Sequence, residues 1–169
     1  MDFSILGAGC FWCFEALFLN VPGIISVEAG YTGGHIKNPS YEAVCSGSTG
    51  HAEVCKIVFD PKVITYDQIL DIFWKIHNPT TLNQEGADKG TQYRSAIYYN
   101  SKEQFEIAKK SKEEHTADFD KPIVTEITKL GDYYKAEDYH QNYYNNNLEN
   151  PYCQFVIRPK LEKFNTKKN

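Results

Sequence analysis

The stretch of sequence that decides the fold is Gly7-Ala8-Gly9-Cys10-Phe11-Trp12-Cys13-Phe14-Glu15. An apolar run at residues 3–6 comes before it and predicts a strand. After it, apolar side chains recur at a spacing that predicts one buried face of a helix, at Phe11, Phe14, Leu17 and Phe18. We therefore expect the chain to turn from strand to helix at Cys10, with Gly7 and Gly9 permitting a tight turn.

Cys10 is the first candidate for a chemical role because it lies at this predicted helix start. The free N–H groups and the macrodipole at a helix N-terminus stabilise an anion such as a thiolate. We therefore predict a lowered pKa and a reactive thiol for Cys10. The alternative is a small buried thiol that closes a strand, but the Cys-x-x-Cys spacing of Cys10 and Cys13 favours chemistry.

Composition bounds the class of protein. A chain of 169 residues with 41% hydrophobic and 24% charged residues fits one globular domain with its own core, residues 1–169. The net charge of −4, with no basic stripe, argues against a nucleic-acid partner. We find no signal peptide and no apolar run long enough to cross a membrane. Five cysteines, an odd number, indicate free thiols in a reducing compartment, so we predict a cytoplasmic protein.

The order of predicted elements indicates an α+β fold. Further strands are predicted at residues 24–31, 51–59, 94–99 and 122–127, and helices at residues 41–45, 66–77, 101–115 and 136–147. The order up to residue 99 is that of a ferredoxin-like split βαβ core, a two-layer sandwich. We expect C-terminal helices to be added to it, followed by an irregular tail after Pro151. The long polar loop at residues 80–93 is expected to be functional or mobile.

Glu53 is the second candidate because alternation in the 51–59 strand places it on the apolar face, with Cys55, Ile57 and Phe59. A buried carboxyl without a cationic partner has a raised pKa, so Glu53 is a candidate general acid. In a split βαβ core the first and third strands are neighbours, which brings Cys10 and Glu53 to one sheet edge. The alternative is a surface carboxylate paired with Lys56.

Other chemistries have weaker support. One Cys-x-x-Cys pair without a second pair or a histidine at matching spacing does not make a zinc site, and we predict no metal and no cofactor. A Cys–His pair would require His51 or His140 at Cys10, and the sequence selects neither. A thioredoxin-like disulfide oxidoreductase built on Cys10 and Cys13 alone stays open at this point.

Several motifs in chain order resemble those of type A peptide-methionine sulfoxide reductases. They cover nearly the whole chain: Gly9-Cys10-Phe11-Trp12 with Glu15, Gly30-Tyr31-Thr32-Gly33-Gly34, Tyr41-Glu42-Ala43-Val44-Cys45, Thr49-Gly50-His51-Ala52-Glu53, Gly90-Thr91-Gln92-Tyr93-Arg94-Ser95, Ala136-Glu137-Asp138-Tyr139-His140-Gln141 and Asn150-Pro151-Tyr152-Cys153. Each motif is moderately specific and the set is highly specific. The resemblance implies thioredoxin-dependent reduction of the S-epimer of methionine sulfoxide, free or in proteins, as a repair of oxidised proteins.

The resemblance also implies roles for the residues that match the catalytic motifs. Cys10 attacks the sulfoxide sulfur and becomes a sulfenic acid. Glu53 protonates or hydrogen-bonds the sulfoxide oxygen, and Tyr41 and Tyr93 help to hold that oxygen. Disulfide exchange needs none of these three residues, so they separate the reductase from the thioredoxin-like alternative.

Substrate binding and recycling are implied in the same way. Phe11 and Trp12 form the apolar pocket for the terminal methyl group, and Asp88 lies near the polar end of the substrate. A second thiol then forms a disulfide with Cys10, which thioredoxin reduces. Position 13 is often glycine in the family, whereas here it is Cys13. We expect Cys153 to be the resolving cysteine, with Cys13 close behind, Cys45 and Cys55 to be structural, and the protein to be a monomer.

Overall fold

The structure, a computed structural model, describes residues 1–168, with side chains through residue 164. The described residues form β1 (Asp2–Gly7), β2 (Ile24–Thr32), β3 (Ala52–Phe59), β4 (Gln84–Glu85), β5 (Asp88–Lys89), β6 (Ala96–Tyr99), β7 (Glu126–Lys129) and β8 (Tyr133–Lys135). The helices are α1 (Phe11–Phe18), α2 (Tyr41–Cys45), α3 (Tyr66–Ile76), α4 (Lys102–His115), α5 (Tyr143–Asn146) and α6 (Arg158–Lys168). The molecule is therefore a mixed α/β structure.

One sheet carries the architecture, with strand order β7-β6-β1-β3-β2-β8. β1 is antiparallel to both β3 and β6, whereas β6 and β7 are parallel, so the sheet is mixed. Leu6 pairs with Cys55, which places the end of β1 beside the start of β3. The predicted adjacency of the first and third strands is therefore confirmed, and it determines where the site forms.

The core lies between one face of this sheet and the helices α1 and α3. Its largest members are aromatic and aliphatic side chains that are almost fully buried, among them Phe14, Phe18, Ile57, Leu70 and Phe73. Each such side chain contributes about 1.5–3 kcal/mol by leaving water. The opposite face of β3 bears only a small cluster and the half-exposed Lys56, as the alternation predicts.

The helices predicted at residues 66–77 and 101–115 are confirmed, and both begin at capped residues, Thr65 and Ser101. Thr65 and Gln68 form a reciprocal capping box, and the Ser101 side chain accepts a hydrogen bond from the Gln104 N–H. α4 is mostly exposed, as its thin apolar stripe indicates. The 80–93 loop contains the short hairpin β4–β5 and a 3₁₀ turn at Thr91–Tyr93.

The C-terminal third departs most from the sequence prediction. The predicted 136–147 helix is wrong: a 3₁₀ turn at Asp138–His140 and the short α5 stand there, separated by Asn142 with a positive φ of 53°. The predicted strand at residues 122–127 begins only at Glu126, and β8 was not predicted.

The irregular tail predicted after Pro151 is also wrong. The chain continues through a π-helical segment, Cys153–Ile157, directly into α6. Pro151 lies in the first turn of this helical segment, where a backbone N–H would have no partner within the helix. Its missing N–H therefore removes no helical hydrogen bond, and a helix can begin at this residue. Within the described residues no helix is both long and apolar enough to cross a membrane.

Candidate active site

The turn that presents Cys10 depends on Gly9. Its φ is +85°, and a Cβ there would lie 2.6 Å from Cγ of Glu85, so no other residue fits without a shift. Gly7 lies within β1 without a positive φ, so its predicted part in the turn is wrong. A Cβ on Gly7 would lie 3.2 Å from the Glu53 carbonyl oxygen, so Gly7 instead allows β3 to approach closely.

Cys10 is the N-cap residue of α1, and its carbonyl accepts the Phe14 N–H at 3.2 Å. The predicted helix-start position is confirmed, but the predicted lowered pKa is wrong. Burial and the nearby Glu53 carboxyl raise the pKa of the Cys10 thiol well above its usual value, against a hydrogen bond from the Trp12 N–H that acts to lower it. The stabilisation of a thiolate by the helix terminus is outweighed because Cys10 is buried and because Glu53 accepts the Phe11 N–H of the same helix start.

Glu53 is 1% exposed, and its two carboxyl oxygens differ in their surroundings. Oε1 accepts the Phe11 N–H at 3.2 Å, whereas Oε2 is buried and has no hydrogen-bond partner among the described residues. Burial raises the pKa of Glu53 to about 8, so the carboxyl is protonated at neutral pH. The raised pKa is therefore confirmed, and the alternative pairing with Lys56 is wrong because that ammonium lies over the rings of Phe3 and Tyr133.

Tyr41 and Tyr93 are half-buried, and both interact with the Glu53 carboxyl. Burial raises the pKa of each phenol, and the charge of Glu53 contributes to both shifts. Tyr41 begins α2, where its N–H donates to Oε2 of Glu137 at 2.9 Å. Tyr93 ends the 3₁₀ turn before β6, and its pKa also responds to Cys10. Two phenol hydroxyls thus lie within electrostatic range of the acid.

Phe11 and Trp12 form an aromatic wall directly after Cys10. The Phe11 ring is 1% exposed and lies 5.6 Å from the Tyr31 ring, centroid to centroid. The half-buried Trp12 ring stacks on Tyr143 at 3.8 Å and meets the edge of Tyr152 at 5.9 Å. An apolar group held against this wall would contact rings on more than one side.

Tyr152 has a place in the site that sequence reasoning missed. Its hydroxyl donates to Oδ2 of Asp88 at 2.6 Å, and burial, the charge of Cys10 and this hydrogen bond raise the pKa of Tyr152. Asp88 thus enters the site held by a residue from the helical C-terminal segment. The only sequence signal was the position of Tyr152 beside Cys153, in a region predicted to be irregular.

The two candidate resolving cysteines lie in one apolar cluster with Ala16, Leu17 and Ile157. Cys13 is 5% exposed and Cys153 is fully buried in the π-helical segment. The prediction that Cys153 lies in an irregular tail is therefore wrong. Burial raises the pKa of the Cys13 thiol to about 11, and the nearby Cys153 contributes to that shift.

The other two cysteines differ in their surroundings. Cys55 is fully buried, and its thiol donates a hydrogen bond to the Phe11 carbonyl at 3.6 Å. Both features are consistent with the structural role expected for Cys55. Cys45 is exposed at the end of α2, and its thiol is hydrogen-bonded to the Tyr41 side chain. Partial burial raises the pKa of Cys45, whereas this hydrogen bond acts to lower it.

Neither histidine considered for a Cys–His pair contacts the Cys10 sulfur through a hydrogen bond in the described part of the chain. His51 accepts the Gly34 N–H at Nδ1 and bonds the Ile36 carbonyl through Nε2 at 2.7 Å, so both of its ring nitrogens already have partners. His140 bonds to Trp12 instead. Over the same residues, no group of three or more His, Cys, Asp or Glu is placed to hold a metal ion.

Electrostatic coupling and ring contacts therefore group a buried thiol at a helix start, two phenols and an aromatic wall with a buried carboxylic acid, one oxygen of which has no partner among the described residues. A family model described as peptide methionine sulfoxide reductase matches residues 2–169. This chain belongs to the peptide methionine sulfoxide reductase family. This family membership argues against the alternative of a thioredoxin-like disulfide oxidoreductase.

Relatives support the assignment in sequence and in structure. A peptide methionine sulfoxide reductase MsrA of Trichodesmium erythraeum is 53% identical over 165 residues, covering 96% of this chain and 93% of that protein. The crystal structure of reduced Mxr1 from Saccharomyces cerevisiae has a TM-score of 0.85 and 38% identity, covering 90% of this chain and 88% of that one. Mxr1 in complex with Trx2 aligns with a TM-score of 0.60 and 27% identity, covering 84% of each chain.

Proposed function

We propose that this protein reduces the S-epimer of methionine sulfoxide, free or in proteins, to methionine. The observation that carries the proposal is the pair formed by the Cys10 thiol and the protonated Glu53 carboxyl, whose Oε2 has no partner among the described residues. A sulfoxide is a poor electrophile until its oxygen is protonated, so an acid kept neutral beside a thiol supplies what the reaction lacks. Family membership supports this reaction directly.

The residues divide the first step between them. Glu53 gives its proton to the sulfoxide oxygen, and Tyr41 and Tyr93 hold that oxygen. The Cys10 sulfur attacks the sulfoxide sulfur, which forms a bond between the two sulfurs, and the thiol proton passes to the Glu53 carboxylate and restores the acid. The oxygen then moves to Cys10 while the bond between the sulfurs and the sulfur–oxygen bond of the substrate break, so Cys10 is oxidised to a sulfenic acid and the substrate is reduced to methionine.

The raised pKa of Cys10 fits this order of events. The resting thiol is protected from indiscriminate oxidation, because the thiolate is the reactive form. Once Glu53 delivers its proton to the substrate, the positive character at sulfur favours attack and loss of the thiol proton. Phe11 and Trp12 grip the methyl group, while Asp88, held by Tyr152, lies at the polar end of the substrate.

We propose that Cys13 is the first residue to form a disulfide with the Cys10 sulfenic acid and that Cys153 is the second candidate. This order is the reverse of the one expected from the sequence. The Cβ atoms of residues three apart on a helix lie about 5–6 Å from each other, and a disulfide needs about 3.5–4.5 Å, so the helix start has to close by roughly 1–2 Å to join Cys10 and Cys13. Cys153 is locked in a buried helical segment, which weakens the case for it as first partner. Condensation of the Cys10 sulfenic acid with the Cys13 thiol forms a disulfide and releases water.

Thioredoxin is the proposed reductant of that disulfide. Its dithiol is oxidised as the protein disulfide is reduced, and the complex of the similar Mxr1 with Trx2 supports the pairing. We further propose that residues 1–169 form a single catalytic domain on a ferredoxin-like core, supported by the order β6-β1-β3-β2, and that the protein acts as a monomer. Five free cysteines support a cytoplasmic location.

A single-turnover assay with stereochemically pure substrate tests the proposed function. Reduced wild-type enzyme without thioredoxin is expected to release one equivalent of methionine from the S-epimer and almost none from the R-epimer. Cys10→Ser is expected to release none, since the proposal assigns the attack on sulfur to Cys10 alone. Substantial release by Cys10→Ser, or equal release from both epimers, would contradict the proposal.

A further inference from the structure

The side chains of Trp12 and His140 are joined by a hydrogen bond that fixes the protonation of the histidine. The Trp12 indole Nε1 donates to Nδ1 of His140 at 2.9 Å. An indole N–H can only donate, so Nδ1 must present a lone pair. The neutral ring therefore carries its proton on Nε2, which is buried without a hydrogen-bond partner among the described residues. The residue itself is fully buried.

The ring of His140 contacts both side chains assigned to the methyl pocket and one that is assigned to the sulfoxide oxygen. Its centroid lies 5.1 Å from that of Phe11, 5.7 Å from that of Trp12 and 4.3 Å from that of Tyr41. On another side it meets the exposed Tyr139 ring at 4.0 Å. One buried ring thus connects the start of α1 with the start of α2.

The backbone that carries His140 is anchored by the neighbouring Glu137. Oε1 of Glu137 accepts the Tyr31 hydroxyl and Oε2 accepts the Tyr41 N–H, each at 2.9 Å. These bonds hold the 3₁₀ turn Asp138–His140 against β2 and α2. The turn can therefore place His140 reproducibly, which a free loop would not do.

The ring must stay neutral to keep the Trp12 bond, because a proton on Nδ1 would set one N–H against another. Burial lowers the pKa of His140, although the carboxylates of Glu137 and Glu42 act in the opposite direction. The other groups that face the ring, Phe11, Trp12, Tyr41 and Tyr139, are uncharged at neutral pH.

We propose that His140, as the neutral Nε2–H tautomer, is a positioning residue that sets the orientation of Trp12 and thereby the shape of the methyl pocket. The inference rests on the proposed sulfoxide reductase function. Without the acceptor, Trp12 keeps its stacking on Tyr143 but loses the bond that fixes its rotation. The pocket then binds the methyl group less well and discriminates less against a larger alkyl group on sulfur.

Two substitutions separate the hydrogen bond from the packing. His140→Asn keeps an acceptor oxygen near the place of Nδ1 but loses the ring, whereas His140→Phe keeps a ring and loses the acceptor. We expect His140→Phe to raise KM for methionine sulfoxide on the order of tenfold, with a smaller change in kcat, and to narrow the preference for methyl over ethyl sulfoxides. His140→Asn is expected to stay within about threefold of wild type. Tyr139→Leu removes the outer ring, leaves the bond intact and is expected to match wild type.

Nitrogen-15 NMR of the wild-type protein provides a readout that does not depend on activity or on the variants folding. We expect long-range proton–nitrogen correlations to show His140 as the Nε2–H tautomer, with a nitrogen–nitrogen coupling to the Trp12 indole across the hydrogen bond. An Nδ1–H tautomer, or a KM in folded His140→Phe equal to wild type, would overturn the proposal. Absence of sulfoxide reduction by wild type would instead refute the proposed function while the tautomer result stood.

Discussion

At the scale of single residues, the chemistry depends on Glu53 being a carboxylic acid at neutral pH. Its burial, and the absence of a partner for Oε2 among the described residues, hold its pKa near 8, so it arrives at the reaction with a proton to give. The same environment raises the pKa of Cys10, so neither group is charged at rest. The resting site therefore contains a protonated Glu53 and a neutral Cys10 thiol. The thiol reacts once a sulfoxide oxygen accepts the Glu53 proton.

Glu53→Gln tests the acid at this scale. Glutamine keeps the size and a hydrogen-bond donor but has no transferable proton, so the single-turnover rate is expected to fall by about 10²–10⁴-fold, the usual contribution of general acid catalysis. Rapid-quench measurement of methionine release gives the rate. Glu15→Gln is the matched control, because Glu15 is another buried carboxyl with a raised pKa, and it should keep a rate close to wild type. A Glu53→Gln rate equal to wild type would remove Glu53 from the mechanism.

At the scale of elements, recycling is decided by the relation between α1 and the C-terminal helical segment. Cys13 lies on the first turn of α1, whereas Cys153 lies in the π-helical stretch that leads into α6. α6 is tied to the β4–β5 hairpin by Lys160, whose ammonium lies 3.1 Å from Oε2 of Glu85. Moving Cys153 to Cys10 would require this packed segment to open, whereas joining Cys13 to Cys10 requires only a change at the helix start.

We therefore expect Cys13→Ser to lower thioredoxin-driven turnover by at least about tenfold and Cys153→Ser to lower it less, since thioredoxin attacks a disulfide and not a sulfenic acid. Single-turnover release of methionine is the internal control and should survive in both variants, because sulfenic acid formation needs neither thiol. Mass spectrometry after one turnover should find a disulfide between Cys10 and Cys13. A disulfide between Cys10 and Cys153, with recycling lost only in Cys153→Ser, would reverse the order.

At the scale of the whole molecule, the neutral Glu53 is expected to make folding stability depend on pH. Its pKa is about 8 in the folded state against an ordinary value of 4.5, so between these values the folded state binds a proton that the unfolded state has lost. Stability from this group therefore falls as pH rises through that window, by about 1.4 kcal/mol per pH unit, and is constant outside it. Urea unfolding of wild type and Glu53→Gln from pH 5 to 9 should give curves that diverge over this range. Parallel curves would contradict the shift.

The sequence was informative where local patterns and topology agree. The 2-residue alternation of β3 identified Glu53 as buried, and the βαβ order placed it beside Cys10. It failed where tertiary contacts overrule local signals: burial outweighed the helix terminus at Cys10, and a helical segment begins at Pro151, where an irregular tail was predicted. The Trp12–His140 and Tyr152–Asp88 bonds join residues 128 and 64 positions apart, so no local pattern could predict them.

The most direct measurement of the central claim is the titration of the Glu53 side chain itself. Protein labelled with carbon-13 at the glutamate carboxyl is followed by NMR from pH 4 to 10, and Glu53→Gln identifies the signal. The structure predicts a midpoint near pH 8, with the single-turnover rate of wild type falling through the same pH as the acid is lost. A midpoint near the ordinary value of 4.5 would show a carboxylate at neutral pH and would contradict the account.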